Sequence, residues 1–380
     1  MRLSRTVRMR RAAVTVAAAC AVVIPVLAAN ASAAPGHARS AGPVTLPATT
    51  FVAAPPPGAK GADDITSLAT PGLDNGRLVI WTAYQNAINA DGTPGTPGGP
   101  TASTVAGYDA MTGVLVTTIP VTGKVDGLTA YPAKGRLIAT VNEDLNSAFN
   151  LVDPVTGTVT TYQYSPSPAV SGAGGTDSIA VRGSQIFVAH SNPSDTTQPA
   201  EYGVRLDNST HTASLTPVFA DNSTATDAAT GQPVTLALTD PDTNGFMPGQ
   251  SPRFQAQLVT ISQGDGQMIF AQGLGNRPRL TVLNLTDNVP GNVPPIDGMA
   301  VATARHGTLY VVDSKAGTIL ALDTSGLPAG TVFVGEPNDN GNPLVGTLNL
   351  FSGQITPLGN TFASPKGLLF LPSDNGEAPR

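Results

Sequence analysis

Cysteine is almost missing: the 380 residues contain one, Cys20, near the N-terminus. If that segment is removed no thiol remains, which excludes disulfides, thiolate metal ligands and cysteine nucleophiles. Charge is sparse, at 12% of residues, and biased, with 20 Lys and Arg against 26 Asp and Glu. Five of the arginines fall in the first 11 positions, which leaves 15 basic residues against 26 acids, a balance of −11. A surface that acidic repels phosphate backbones and argues against nucleic acid as a partner. Histidine is limited to His37, His190, His211 and His306, and no two stand at a metal-ligand spacing. There is no Gly-x-Ser-x-Gly elbow, phosphate loop or dinucleotide fingerprint. Helix-period patterns with caps are nearly absent after residue 60.

The one long apolar run is Ala12 to Ala29. Arg2, Arg5, Arg8, Arg10 and Arg11 precede it and Ala31-Ser32-Ala33 closes it, the three-part pattern of a secretory signal peptide. Residues 1–33 are therefore expected to be cleaved, with the mature chain starting at Ala34. Cys20 lacks the preceding Leu of a lipidation site, and Arg10-Arg11 lacks the rest of a twin-arginine signal. No later run approaches the roughly 20 residues of a membrane span. A released, monomeric protein without a membrane anchor is the expectation.

Glycine and proline, 41 and 34 residues, are interleaved with short apolar runs, the pattern of strands joined by tight turns rather than of disorder. One unit recurs: an Asp, a small-apolar strand, a turn and a second apolar strand. It runs from Asp64 to Trp81, from Asp126 to Thr140, from Asp177 to Ala189 and from Asp297 to Val312, with weaker copies at Leu258 to Ala271 and at Pro365-Lys366-Gly367-Leu368. Between these lie strands that end in Asp or Asn before a turn, as at Asp109, Asp153, Asp207, Asn284, Asp323 and Leu350-Phe351-Ser352-Gly353. Asp, Asn and Thr cap such turns, and Gly supplies the positive φ. The two units together make a four-stranded antiparallel blade. The fold class is thus all-β, a single β-propeller of about six blades, with seven or five as alternatives. A β-sandwich would not repeat one unit along the chain.

The propeller is assigned to residues 61–375, with an Ala/Pro-rich linker at 34–60 and a tail at 376–380. Residues 86–102 read as a long loop between the second and third strands of the first blade. Residues 220–256 read as the largest insertion, with a strand near Val234–Leu238 and an exposed loop from Asp240 to Met247. Long loops gather on the faces of a propeller, where function is expected.

Innermost strands line the central channel, so Asp64, Asp126, Asp177 and Asp297 are predicted to converge at its mouth. Convergent carboxylates form a hard-cation site, with Ca²⁺ the usual occupant. The plainer reading, and the preferred one, is that Asp-Gly and Asp-Ser are turn residues capping local backbone, which needs no metal. His190 follows an inner strand within reach of a pocket, but reads first as a surface or turn histidine. The sequons at Asn208, Asn222 and Asn284 read as turn and strand residues.

Asp126-Gly127-Leu128 followed by Gly135-Arg136-Leu137, and Ile296 to Val301 followed by Gly307 to Asp313, resemble NHL-type and gluconolactonase-like (regucalcin) propellers. The resemblance covers most of the mature chain as a style of repeat and matches closely only in these stretches. It implies that Asp297, in the position of the family's Pro-Asp-Gly-Met aspartate, binds a catalytic divalent metal. Asp126 stands where the family has a metal-binding Asn, and the family's Glu falls at Asp63-Asp64-Ile65. Two functions follow as expectations. One is a secreted, non-enzymatic propeller that binds an extracellular or cell-envelope protein, glycan or small molecule. The other is a metal-dependent lactonase or esterase acting at an Asp-lined channel mouth.

Overall fold

The computed structural model describes residues 44–168, 174–191, 197–275 and 277–373. The expected signal peptide and the C-terminal tail lie outside the described residues. Apart from two single 3₁₀ turns, at Asp74–Gly76 and Pro132–Lys134, every regular element among the described residues is a strand.

The chain begins with β1 (Ala48–Ala53) and continues into a first meander, β2 (Ala62–Ala69), β3 (Leu78–Tyr84), β4 (Ala102–Asp109) and β5 (Leu115–Thr122). The second is β6 (Val125–Tyr131), β7 (Arg136–Val141), β8 (Ala148–Val152) and β9 (Val159–Ser165). The third is β10 (Gly175–Arg182), β11 (Gln185–Ser191), β12 (Pro199–Asp207) and β13 (Thr212–Ala220), and β13 joins it to the second by pairing parallel with β9. A short hairpin, β14 (Thr224–Asp227) and β15 (Pro233–Thr235), then sits beside the fourth meander. That meander is β16 (Pro241–Phe246), β17 (Leu258–Ser262), β18 (Gln267–Gln272) and β19 (Arg279–Asn284).

The last two units are interleaved. β20 (Gly298–Val301) begins the fifth, but β21 (Gly307–Asp313) and β22 (Thr318–Asp323) leave it, and β20 pairs instead with β23 (Val332–Glu336). β24 (Leu344–Leu348) and β25 (Ile355–Pro357) complete that sheet. β26 (Pro365–Pro372) then pairs with β21, and β22 pairs with β1, so both ends of the described chain meet in one sheet. The architecture is an all-β propeller of antiparallel meanders, and the described residues form sheets of four, eight, six, four and four strands.

Three sequence expectations change. Asp297–Val301 and Leu309–Val312 are not partners in a hairpin, because they lie in different sheets. Leu258 to Ala271 supplies the second and third strands of its sheet, and its innermost strand is β16, within the stretch expected to be an exposed loop. The Ala/Pro-rich stretch assigned as linker contains β1, whose Phe51 and Ala53 are buried while Val52 between them is 52% exposed. That alternation is the period of a half-buried strand.

Innermost strands are buried on both faces and take small apolar residues, whereas outer strands such as β9 and β13 alternate buried and exposed positions. The capped turns are as read: Asp109 Oδ1 accepts the N–H groups of Met111 and Thr112, and Asp153 and Asp207 do the same in the next two units. The core consists of layers between neighbouring sheets; one holds Trp81, Val105, Leu128 and Leu137, another Phe51, Tyr84, Tyr108 and Tyr310.

Candidate functional site at the channel mouth

Each innermost strand opens with the same three-residue device. Five of the six innermost strands carry a register irregularity, and it falls at one place: Ala62/Ile65, Val125/Gly127, Thr176/Ile179, Pro241/Thr243 and, in β26, between Pro365 and Leu368. A bulge there inserts an extra residue and re-aims its side chain away from the sheet. The positions so treated are Asp63, Asp126, Asp177, Asp242 and Lys366, with Asp297 at the matching point ahead of β20.

The next residue fastens each strand to its neighbour. Ser178 Oγ donates to the Asp242 carbonyl, and Thr243 Oγ1 donates to the Asp297 carbonyl at 2.8 Å. Where glycine stands, the backbones come closer still: a Cβ on Gly127 would lie 2.4 Å from the Asp177 carbonyl oxygen, and one on Gly298 would lie 2.1 Å from that of Lys366. Asp64 belongs to this second set. Its Oδ2 accepts the Leu128 N–H at 2.9 Å, so the acid facing the channel from β2 is Asp63, one residue earlier than expected.

The channel-facing groups are joined side by side. Lys366 Nζ lies 2.8 Å from Asp297 Oδ2 and 3.2 Å from Asp63 Oδ1. Gln85 Nε2 donates to Asp63 Oδ2 and, at 3.2 Å, to Asp126 Oδ1. Lys124 Nζ lies 2.7 Å from Asp126 Oδ1 and pairs with Glu143 as well. Gln263 Nε2 donates to Asp297 Oδ2 at 3.3 Å. Of the predicted residues, Asp126 and Asp297 sit in this chain of contacts, Asp177 adjoins it through Glu143, and Asp64 stands one position aside.

Sequence reasoning missed Lys124, Glu143, Asp242 and the role of Lys366. Pro241-Asp242-Thr243 aligns with Val125-Asp126-Gly127, which is the signal that would have found Asp242. Pro365-Lys366-Gly367 was visible as a copy of the repeat, with a cation where the other copies carry an acid.

The electrostatics separate the carboxyls into two kinds. Burial, followed by the charge of Glu143, raises Asp126 well above the usual carboxylate range, and burial followed by Asp242 does the same to Asp177. Asp64 and Asp242 are raised similarly, burial leading in each case, and Asp63 is pushed up to about 6. Burial is the largest influence on Glu143 and would raise it, but the charge and hydrogen bond of Lys124, with Asp177 and Lys366 adding to them, together hold Glu143 below its ordinary value. Burial opposes the charge on Lys366, yet Asp297, Asp63 and Asp242 together hold it well above the ordinary lysine value. One carboxylate oxygen, Asp126 Oδ2, is buried and has no hydrogen-bond partner among the described residues. His190 is buried in β11, with Nδ1 2.9 Å from the Pro199 carbonyl, and burial lowers its pKa.

A divalent ion requires ionised oxygens that converge and are not committed elsewhere. The carboxylates of Asp63, Asp126 and Asp297 each face an ammonium already. Among the described residues no group of three or more His, Asp or Glu side chains is placed to hold a metal. The arrangement as it stands does not fit the metal that the family resemblance implies. It does fit acid–base chemistry.

No protein-family model matches the sequence, and no curated protein matches it. In three dimensions the chain is similar to a protein described as a gluconolactonase, at 10% identity and a TM-score of 0.46, over 85% of this chain and 86% of that one. It is also similar to a periplasmic gluconolactonase of Pseudomonas aeruginosa, at 15% identity and a TM-score of 0.44, over 81% and 88% of the two chains. A streptogramin B lyase is similar at 14% identity and a TM-score of 0.39, over 81% and 87%.

Proposed function

We propose that the protein is an exported hydrolase that opens a lactone or small ester at the channel mouth by acid–base chemistry. The observation that carries this reading is one ammonium, Lys124, between two carboxyl groups of opposite character. Glu143 is held ionised beside it, and Asp126 is driven towards the neutral form. Environments that push two carboxyls apart in this way set one to act as base and the other as acid.

In this mechanism Glu143 takes a proton from water as the oxygen adds to the substrate carbonyl carbon. Lys124 stabilises the negative charge that develops on the carbonyl oxygen. As the bond to the leaving oxygen breaks, Asp126 delivers its proton there, and exchange with solvent restores both carboxyls. Glu143 and Lys124 are the more open members, with side chains 24% and 16% exposed, while Asp126 lies beneath them at 3%.

The test is turnover of a panel of lactones and short esters by the mature protein. Glu143→Gln and Asp126→Asn should each lower kcat/KM by about 10²- to 10⁴-fold while the chain stays folded. Hydrolysis undiminished in both variants would refute the assignment. A second reading, a non-enzymatic module for an extracellular or envelope partner, is favoured by the way Lys366, Lys124 and Gln85 already bridge the carboxylates. It predicts no turnover by the native protein and variants that change only stability. Export rests on the N-terminal pattern; protein from the culture medium should begin at Ala34, and an intact Met1 retained inside the cell would oppose it.

A further inference from the structure

A groove of about 490 Å³ runs between the second and third sheets, far along the strands from the channel-mouth acids. Its floor is formed by Tyr131 and Tyr162 with aliphatic side chains of β8, β11 and β12. Its charged lining is Lys134, Arg136 and Arg205, and no Asp or Glu lines it, although acids outnumber bases in the chain. Arg136 is matched by Asp153 at 3.0 Å. Lys134 and Arg205 are exposed and have neither an ion pair nor a side-chain hydrogen bond among the described residues.

We infer that this groove binds a small amphipathic anion, an aryl carboxylate in chemical class. The volume lies in the range of small-molecule sites, roughly 300 to 1,000 Å³. Half-buried Leu151, Val204 and Leu206, backed by the buried Tyr131 and Tyr162, offer apolar area to a ring, and two uncommitted cations offer donors to a carboxylate. A guanidinium matches a carboxylate with paired N–H groups, and an ammonium adds a point charge. Both are free to do so because nothing among the described residues claims them. At its far end Tyr162 donates to Asn208 Oδ1 at 2.8 Å, which holds the ring of Tyr162 in place.

The experiment is calorimetric titration of the mature protein with 2-naphthoate and with its neutral amide. Saturable binding of the carboxylate is expected, at least tenfold weaker binding of the amide, and weakening with added salt. The double variant K134Q/R205Q should lose at least tenfold in affinity with its melting temperature unchanged, since neither side chain supports the fold. Failure of naphthoate to bind saturably, equal binding of the amide, or unaltered affinity in the double variant would each overturn the inference. Glu143→Gln should leave this binding untouched, which separates the groove from the channel-mouth chemistry.

Discussion

Lys366 Nζ stands 2.8 Å from Asp297 Oδ2 and reaches Asp63 Oδ1 on its other side, so one ammonium ties β26 to the strands before and after it in the ring. It occupies the repeat position where the other five innermost strands carry aspartate. A ring of like charges must either take up protons or recruit a cation. Here the chain supplies a cation of its own, where β26 packs against β2 and β20.

Replacing that ammonium leaves buried carboxylates uncompensated. Lys366→Gln should destabilise the protein by about 3 to 5 kcal/mol in denaturant unfolding near pH 7, the usual cost of removing one partner of a buried pair. The loss should shrink near pH 5, where Asp63, pushed up to about 6, accepts a proton. Added Ca²⁺ should raise the melting temperature of the variant, whose Asp63 and Asp297 then face no ammonium, and leave the native protein unmoved. A native protein that responds strongly to Ca²⁺ or chelator would show that the lysines do not play this part.

Stability should peak on the acid side of neutrality. Glu201 on β12 is fully buried; Asn244 Nδ2 and Thr260 Oγ1 donate to it at 2.8 and 2.7 Å, and burial pushes its pKa up to about 8. Glu336 is pushed to about 7, again chiefly by burial. A carboxyl raised in the folded state binds more protons there than in the unfolded chain. Its contribution is therefore complete below its ordinary value of 4.5 and is lost as pH rises through the folded value. Melting temperature should fall between pH 5 and pH 8, with Glu201 worth on the order of a few kcal/mol. Glu201→Gln should flatten that slope, and an unchanged slope in the variant would rule Glu201 out as its source.

Much of this architecture can be read from residues, because the turn chemistry is local. Asp109, Asp153 and Asp207 cap their turns through neighbours two and three positions on, and such contacts are written in short stretches of sequence. What depends on long-range closure was not legible. β20 and β21 follow one another as any hairpin would, and only the sheet shows that β20 pairs with β23. The acid at β2 was misplaced by one residue because a bulge moves the period-two alternation, and a one-residue slip reverses which side chain faces the channel. Lys124 and Glu143 lie outside the repeated triplet, so no periodicity announces them.

The fastening between innermost strands should be intolerant of any side chain at its glycine positions. Gly298→Ala would place a Cβ 2.1 Å from the Lys366 carbonyl oxygen, a backbone atom that cannot swing aside. Gly341, where a Cβ would meet nothing within 4 Å, has a positive φ of 76° and tests the other penalty, backbone strain without crowding. Gly298→Ala should cost several kcal/mol, whereas Gly341→Ala should cost about 1 kcal/mol. Equal losses in the two variants would mean that the strands are not held this tightly.

The N-terminal strand should matter as much as any in the ring, although its composition resembles a linker. Phe51 is 4% exposed and meets the edge of Tyr310 at 5.1 Å between ring centroids. Truncating a buried Phe to Ala typically costs about 3 to 5 kcal/mol, because the cavity adds to the lost burial. Val52, 52% exposed on the opposite face, should accept Thr within about 0.5 kcal/mol. Because β1 pairs with β22 in the sheet that also contains β26, the Phe51→Ala loss should appear in cooperative unfolding of the whole ring rather than as fraying of one end. Hydrogen exchange offers the sharpest view: amides of β26, at the far end of the chain, should lose protection in Phe51→Ala together with those of β22. Protection retained in β26 while β1 alone exchanges would show that the N-terminal strand is a detachable edge and that closure rests on β26 and its neighbours.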